Sequence, residues 1–246
     1  MDTFRIRVKK DIICEVVKPS KPSRRVIILA RGMPTYPSKS ELLFYFASQG
    51  YWVFCPRYRG SWESGGSFLK ISPHQDILDV IDTLSPGFVD LLTGKKYQIN
   101  NPAVYLIGGS FGGPAAILAS QDKRVKKVVA LSPVINWQVE SKVERLDFMK
   151  KFVRSAFGFG YRYIDRDWDK LKTGKFYNPM AVINRLDAKK LFIIHAQDDE
   201  VVYIKPSQDF VKRLGCKFWW LKTGGHLSTS VLMELKFWNK ISLFFK

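Results

Sequence analysis

Cysteine and histidine are scarce in this chain, with three of each in 246 residues. Cys14, Cys55 and Cys216 are odd in number, far apart and set in apolar, strand-like runs, which excludes a disulfide framework or a cysteine-rich metal site and points to buried thiols. A reducing compartment, the cytoplasm, is the expected setting. No run of about 18 apolar residues occurs, so no membrane span and no membrane partner are expected. The N-terminus, Met-Asp-Thr-Phe-Arg-Ile-Arg-Val, alternates polar and apolar residues and lacks the apolar core of a secretory signal. Acidic residues are also few, 22 against 40 lysines and arginines, for a net charge of +18. The basic residues are scattered from Lys9 to Lys246 and mixed with acids, and no basic helix carries an aromatic stacking ladder. No nucleic-acid partner is expected; a compositional bias toward lysine accounts for the charge, which is also compatible with steering of anionic substrates.

Apolar residues make up 46% of the chain, enough for one large domain spanning 1–246. Strand-like and helix-like runs alternate, which predicts an α/β fold with a mostly parallel twisted sheet and helices on both faces. Strands are expected at Thr3–Val8 and Ile12–Val17 (an opening antiparallel hairpin), Val26–Ala30, Trp52–Pro56, Val104–Ile107, Lys127–Leu131, Leu191–His195 and Lys217–Lys222. Helices are expected at Ser40–Gln49, Pro73–Leu84, Ser207–Leu214 and Ser228–Phe245. The alternation breaks between Pro133 and Leu186, a stretch rich in aromatics and charge, which predicts a cap or lid at about 134–186. Its helix is expected over Val139–Phe157, with a stripe of Val139, Val143, Leu146, Met149 and Val153 flanked by Phe148 and Phe152. Covering a sheet edge would use the same aromatics.

Residues 104–120 set an apolar strand against Gly-Gly-Ser-Phe-Gly-Gly and then a small-residue helix. Taken alone, this glycine-rich segment also fits a turn or a phosphate-binding loop. A dinucleotide loop, however, wants a third glycine at fixed spacing and an acid ending the next strand, and that strand ends in Ser132-Pro133. A serine at a sharp strand-to-helix turn needs neighbours without side chains, which Gly108 and Gly112 provide. Ser110 is therefore the candidate nucleophile.

A serine hydroxyl needs a histidine base, and the histidine needs an acid to fix its tautomer. His226, on the glycine-rich loop Thr-Gly-Gly-His after an apolar strand, is the candidate base. His74 falls in the first turn of a helix, and His195, ending Leu-Phe-Ile-Ile-His, reads as a structural group steadying the next loop. That loop, Ala-Gln-Asp-Asp-Glu, supplies the acid: Asp199, with Asp198 as fallback and Glu200 solvated. Oxyanion donors are expected from the backbone N-H of Phe111 and, after the strand ending at Ala30, from Met33, because Pro34 has no N-H. Arg31 is placed either to contact substrate or to pair with the body of the domain. This acyl chemistry calls for no metal and no organic cofactor.

These residues together resemble the α/β-hydrolase superfamily, in the chain order Ser110, Asp199, His226. Gly-Gly-Ser-Phe-Gly-Gly at 108–113, Tyr-Arg-Gly-Ser at 58–61, Asp-Asp-Glu-Val-Val at 198–202 and Gly-Gly-His at 224–226 look closer to the catalytic domains of prolyl oligopeptidase and acylaminoacyl peptidase and their esterase relatives. The resemblance runs through essentially the whole chain and implies an α/β-hydrolase fold with an inserted cap. It also implies a serine hydrolase that cleaves an ester through an acyl-enzyme, with a short-peptide serine peptidase as the alternative. The chain departs from many relatives in having Arg31-Gly32 where they carry His-Gly. No counterpart of the oligopeptidase propeller is expected with it, which favours the ester reading. A small ester or short peptide is the expected partner, and a homo-oligomer is compatible with the sequence.

Overall fold

The computed structural model describes residues 2–37, 40–141, 143 and 145–246. One sheet contains β1 (Thr3–Val8), β2 (Ile12–Val17), β3 (Arg25–Ala30), β4 (Trp52–Pro56), β5 (Ala103–Gly109), β6 (Val125–Leu131), β7 (Leu191–Ala196) and β8 (Lys217–Leu221). Their spatial order is β1-β2-β4-β3-β5-β6-β7-β8. The pairs from β4 through β8 are parallel, whereas β1 pairs antiparallel with β2, and β2 antiparallel with β4.

Sequence pattern explains the difference. β1 alternates exposed and buried residues because one of its faces meets water. In β3, by contrast, Val26, Ile27, Ile28 and Leu29 are all buried, as expected of a strand covered on both faces.

Helices α1 (Ser40–Ser48), α2 (His74–Leu84), α3 (Gly112–Ala119), α4 (Leu146–Phe157), α5 (Asp165–Asp169), α6 (Ile204–Leu214) and α7 (Leu235–Phe244) cover the sheet. On one face Leu42, Leu43 and Phe46 of α1 and Phe237, Trp238 and Ile241 of α7 pack against Ile27, Leu29 and Val53. On the other, α2, α3 and α6 share a core with Trp168, Tyr177 and Ile183 of the segment beyond β6. The acidic side of α2 is engaged: buried Asp76 accepts the Arg59 backbone N-H at 2.8 Å and also pairs with the Arg59 guanidinium, which Asp79 meets at 2.6 Å.

Two helices depart from the sequence pattern. α4 begins at Leu146 rather than at Val139, and Val139 and Val143 are exposed. The Glu140 carboxylate accepts the Leu146 N-H at 3.1 Å, and Arg145 is extended with ψ 141°, so the chain enters the first turn from the side instead of continuing a helix. Positions 142 and 144 lie outside the described residues. The buried stripe is therefore Leu146, Met149 and Val153, while Phe148 and Phe152 stack on each other at 6.1 Å on the exposed side.

The closing helix is also broken. Ser228 caps a short 3-10 turn at Thr229–Met233, Glu234 is extended with ψ 135°, and α7 follows. The break lets Leu232 and the Phe237-Trp238-Ile241 face reach one core. Among the described residues, no helix is long and apolar enough to cross a membrane.

Candidate active site

The carboxyl ends of β3, β5, β7 and β8 each feed a loop that carries one of the residues singled out by the sequence. β5 runs up to Gly109, and the chain then turns at Ser110 with φ 51°, a left-handed conformation that costs a side-chain-bearing residue about 1–3 kcal/mol. Three backbone bonds hold it there: Ser110 N-H donates to the Leu131 carbonyl at 2.9 Å, and the Ser110 carbonyl accepts from Gly113 at 2.9 Å and Val134 at 3.3 Å. Glycine is obligatory around the turn. A Cβ on Gly112 would lie 1.9 Å from the Ala30 carbonyl oxygen, and one on Gly108 would lie 2.3 Å from that of Gly112. Phe111 is buried against Tyr58, Phe68 and Tyr177, which anchors the start of α3.

The loop after β3 carries Met33. Among the described residues, the N-H groups of Met33 and Phe111 have no hydrogen-bond partner. Three aromatic side chains fix this loop, and local sequence gives no hint of them. Tyr58 donates its hydroxyl to the Arg31 carbonyl at 3.0 Å, Trp62 donates its indole N-H to the Thr35 carbonyl at 3.0 Å, and Thr35 N-H donates to the Tyr161 hydroxyl at 3.0 Å. Arg31 borders a cleft with Cys55 and Tyr58 on one side and the cavity holding Ser110 and His226 on the other.

Asp199 follows β7 and has no exposed side-chain surface. One oxygen, Oδ1, accepts the N-H groups of Val201 at 3.0 Å and Val202 at 2.9 Å. The other, Oδ2, lies 2.9 Å from His226 Nδ1 and 3.1 Å from His195 Nε2. Burial pushes this carboxyl up. The hydrogen bonds from His195, His226 and the Val202 N-H, with the charge of His226, outweigh burial and hold it well below the usual carboxylate range.

The neighbouring Asp198 does a different job. Its carboxylate accepts the N-H groups of Gly224 at 3.2 Å and Gly225 at 2.9 Å, and Ser132 Oγ accepts the Leu227 N-H at 3.2 Å, so the loop bearing His226 is held at its backbone on both sides. His74 is remote in role, bonded to Ser72 and Gln75 in the first turn of α2, and burial pushes it down to about 4.

Residues 37–236, most of the chain, match the prolyl oligopeptidase family. The chain belongs to that family. No protein of curated function matches it. Among solved structures of the same fold, the acylaminoacyl peptidase of Pyrococcus horikoshii aligns over 99% of this chain with a TM-score of 0.67 at 20% identity, and this chain spans 40% of that one. An esterase of Pyrococcus furiosus aligns over 99% of this chain and 89% of its own length, with a TM-score of 0.70 at 18% identity. The α/β-hydrolase fold is thus shared with both.

Within this family member, Ser110 sits at the seam of two cavities. One is apolar, walled by Ile135, Trp137, Leu146, Met149 and Trp168 from beyond β6, together with Val202. The other is more polar, lies between the Arg31–Thr35 loop and the His226–Thr229 loop, and also contains His226. The Ser110 hydroxyl and the His226 imidazole thus face one cavity, and no hydrogen bond joins them among the described residues.

Proposed function

We propose that this protein is a serine hydrolase that cleaves carboxylic esters, with Ser110 as nucleophile, His226 as base and Asp199 as the acid that orients it. The observation carrying this reading is the 2.9 Å contact between His226 Nδ1 and Asp199 Oδ2 beside a serine held at positive φ on the same cavity. A buried carboxylate accepts from Nδ1-H, which leaves the lone pair on Nε2 for the serine proton.

Ser110 Oγ attacks the acyl carbon while its proton passes to His226 Nε2. The oxyanion forms against the Phe111 and Met33 N-H groups, with the N-terminus of α3 behind it. The tetrahedral intermediate collapses as His226 protonates the leaving alcohol, and a water activated by the same imidazole then releases the acid. The Ser110-His226 gap of the unliganded site is of the kind that closes when substrate arrives. The steps need neither metal nor organic cofactor.

The two cavities support an apolar acyl group with a polar alcohol: the first houses the acyl chain under residues 134–186, read here as a cap, and the second takes the leaving group. Three buried thiols suit the cytoplasm.

Family membership favours a second reading, a peptidase acting on short acylated peptides through the same residues. Aryl-ester and peptide-anilide turnover, measured side by side on the wild type and Ser110→Ala, separate the two. Loss of at least about 10³-fold in kcat/KM for the variant is expected, with esters the better substrates. Undiminished ester turnover by Ser110→Ala, or fluorophosphonate labelling at another residue, rules out the assignment.

A further inference from the structure

Asp199 is shared by two imidazoles, and only one of them faces a cavity with Ser110. His195, the last but one residue of β7, has no exposed surface at all. Its Nε2 lies 2.9 Å from the Val202 carbonyl oxygen and 3.1 Å from Asp199 Oδ2, and its Nδ1 lies 3.0 Å from Ser207 Oγ on α6. A carbonyl oxygen only accepts, so Nε2 must carry a hydrogen. The Ser207 hydroxyl is fully buried and has no other partner among the described residues, so its hydrogen is satisfied only by donating to Nδ1. Donor and acceptor accounting therefore leaves a single arrangement, the neutral Nε2-H tautomer, with every polar atom of the ring used.

We propose that His195 is a positioning residue for the Ser110-Asp199-His226 relay: its Nε2-H, fixed between Val202 and Asp199, pins Asp199 Oδ2 in the direction from which His226 Nδ1 approaches. This rests on the reading of Ser110, Asp199 and His226 given above. Without that donor, Oδ2 has His226 alone, and the carboxylate is free to swing about the two N-H groups that hold Oδ1. The other charged groups of the loop do not substitute. Asp198 is engaged by Gly224 and Gly225, and Glu200 is exposed. From α6, Ser207 faces His195, while Lys205 and Asp209 pair with each other at 3.0 Å near the surface. The Ser132 hydroxyl, just after β6, accepts the Leu227 N-H.

The experiment pairs His195→Phe, which fills the space without a donor, with His195→Gln, whose amide N-H reaches the position of Nε2. Nitrogen-detected imidazole spectra of the wild-type protein at neutral pH are expected to show His195 protonated at Nε2 and bare at Nδ1; an imidazolium or an Nδ1-H tautomer would overturn the proposal. In ester turnover, His195→Phe is expected to lose about 10- to 100-fold in kcat with KM little changed. The acid limb of its kcat/KM profile should move toward higher pH, because Oδ2 then serves the imidazolium of His226 alone. His195→Gln should restore kcat to within about threefold of wild type and return the limb to its place. Equal thermal destabilisation of both variants with kcat and limb unmoved would show a merely structural residue and overturn the role. Wild-type protein that takes no fluorophosphonate at Ser110 fails the Ser110 reading and the kinetic role with it. The nitrogen spectrum still decides the tautomer, so the two failures are distinguishable.

Discussion

Two adjacent aspartates divide the work of holding one histidine. Asp199 meets the His226 ring at 2.9 Å, and Asp198 meets the backbone of its loop at Gly224 and Gly225. Their replacements should differ in kind. On the proposed roles, Asp199→Asn presents an amide that donates to Nδ1, which forces the proton onto Nε2 and leaves His226 unable to take one from Ser110. Its kcat for aryl esters is expected to fall by about 10³- to 10⁴-fold with KM near wild type, read by steady-state kinetics. Asp198→Ala leaves the ring chemistry intact but frees two N-H groups and the loop. A drop of about tenfold in kcat is expected, together with faster amide hydrogen exchange at Gly224 and Gly225. The single carboxylate preference written into Ala-Gln-Asp-Asp-Glu is thus two roles at neighbouring positions.

At the level of elements, α4 and α5 owe their place to Trp168, which is fully buried and donates its indole N-H to the Leu146 carbonyl at 3.2 Å. Trp168→Ala removes both a core side chain and a wall of the apolar cavity, and about 3–5 kcal/mol of stability is expected to be lost in urea unfolding, with KM for long-chain esters raised. The strands and the loops bearing Ser110, Asp199 and His226 were legible in the sequence because each is a local event. An apolar run ends, and a glycine or acidic cluster follows at once. The start of α4 was not legible, since its first N-H is met by Glu140 six positions back, which no capping spacing announces. Nor was the pinning of the Met33 loop, because Tyr161 reaches Thr35 across 126 positions of chain. Contacts of that span leave no periodic trace. Val139 and Val143 misled for the opposite reason: helical spacing was present, but the helix starts only at Leu146 and both are exposed.

For the molecule as a whole, the buried groups set its response to pH and to thiol reagents. Asp199 is held below the carboxylate range when folded, so its stabilising contribution is complete above about pH 4 and is lost as pH falls below that. Urea midpoints measured from neutral to acid pH should therefore decline more steeply for the wild type than for Asp199→Asn. Burial raises all three thiols, Cys14 and Cys55 within the sheet and Cys216, the last to about 11. Native protein at neutral pH should resist alkylation by iodoacetamide, and denatured protein should take three equivalents, as counted by intact mass. The position of Ser110 at the seam of two cavities carries one more implication. On the proposed acyl-enzyme route, an acyl group lodged on the apolar side leaves the opposite mouth vacant once the first alcohol departs, so water and a second alcohol compete for the bound acyl. Hydrolysis and transesterification are then alternative fates of one intermediate, partitioned by the concentrations at that mouth.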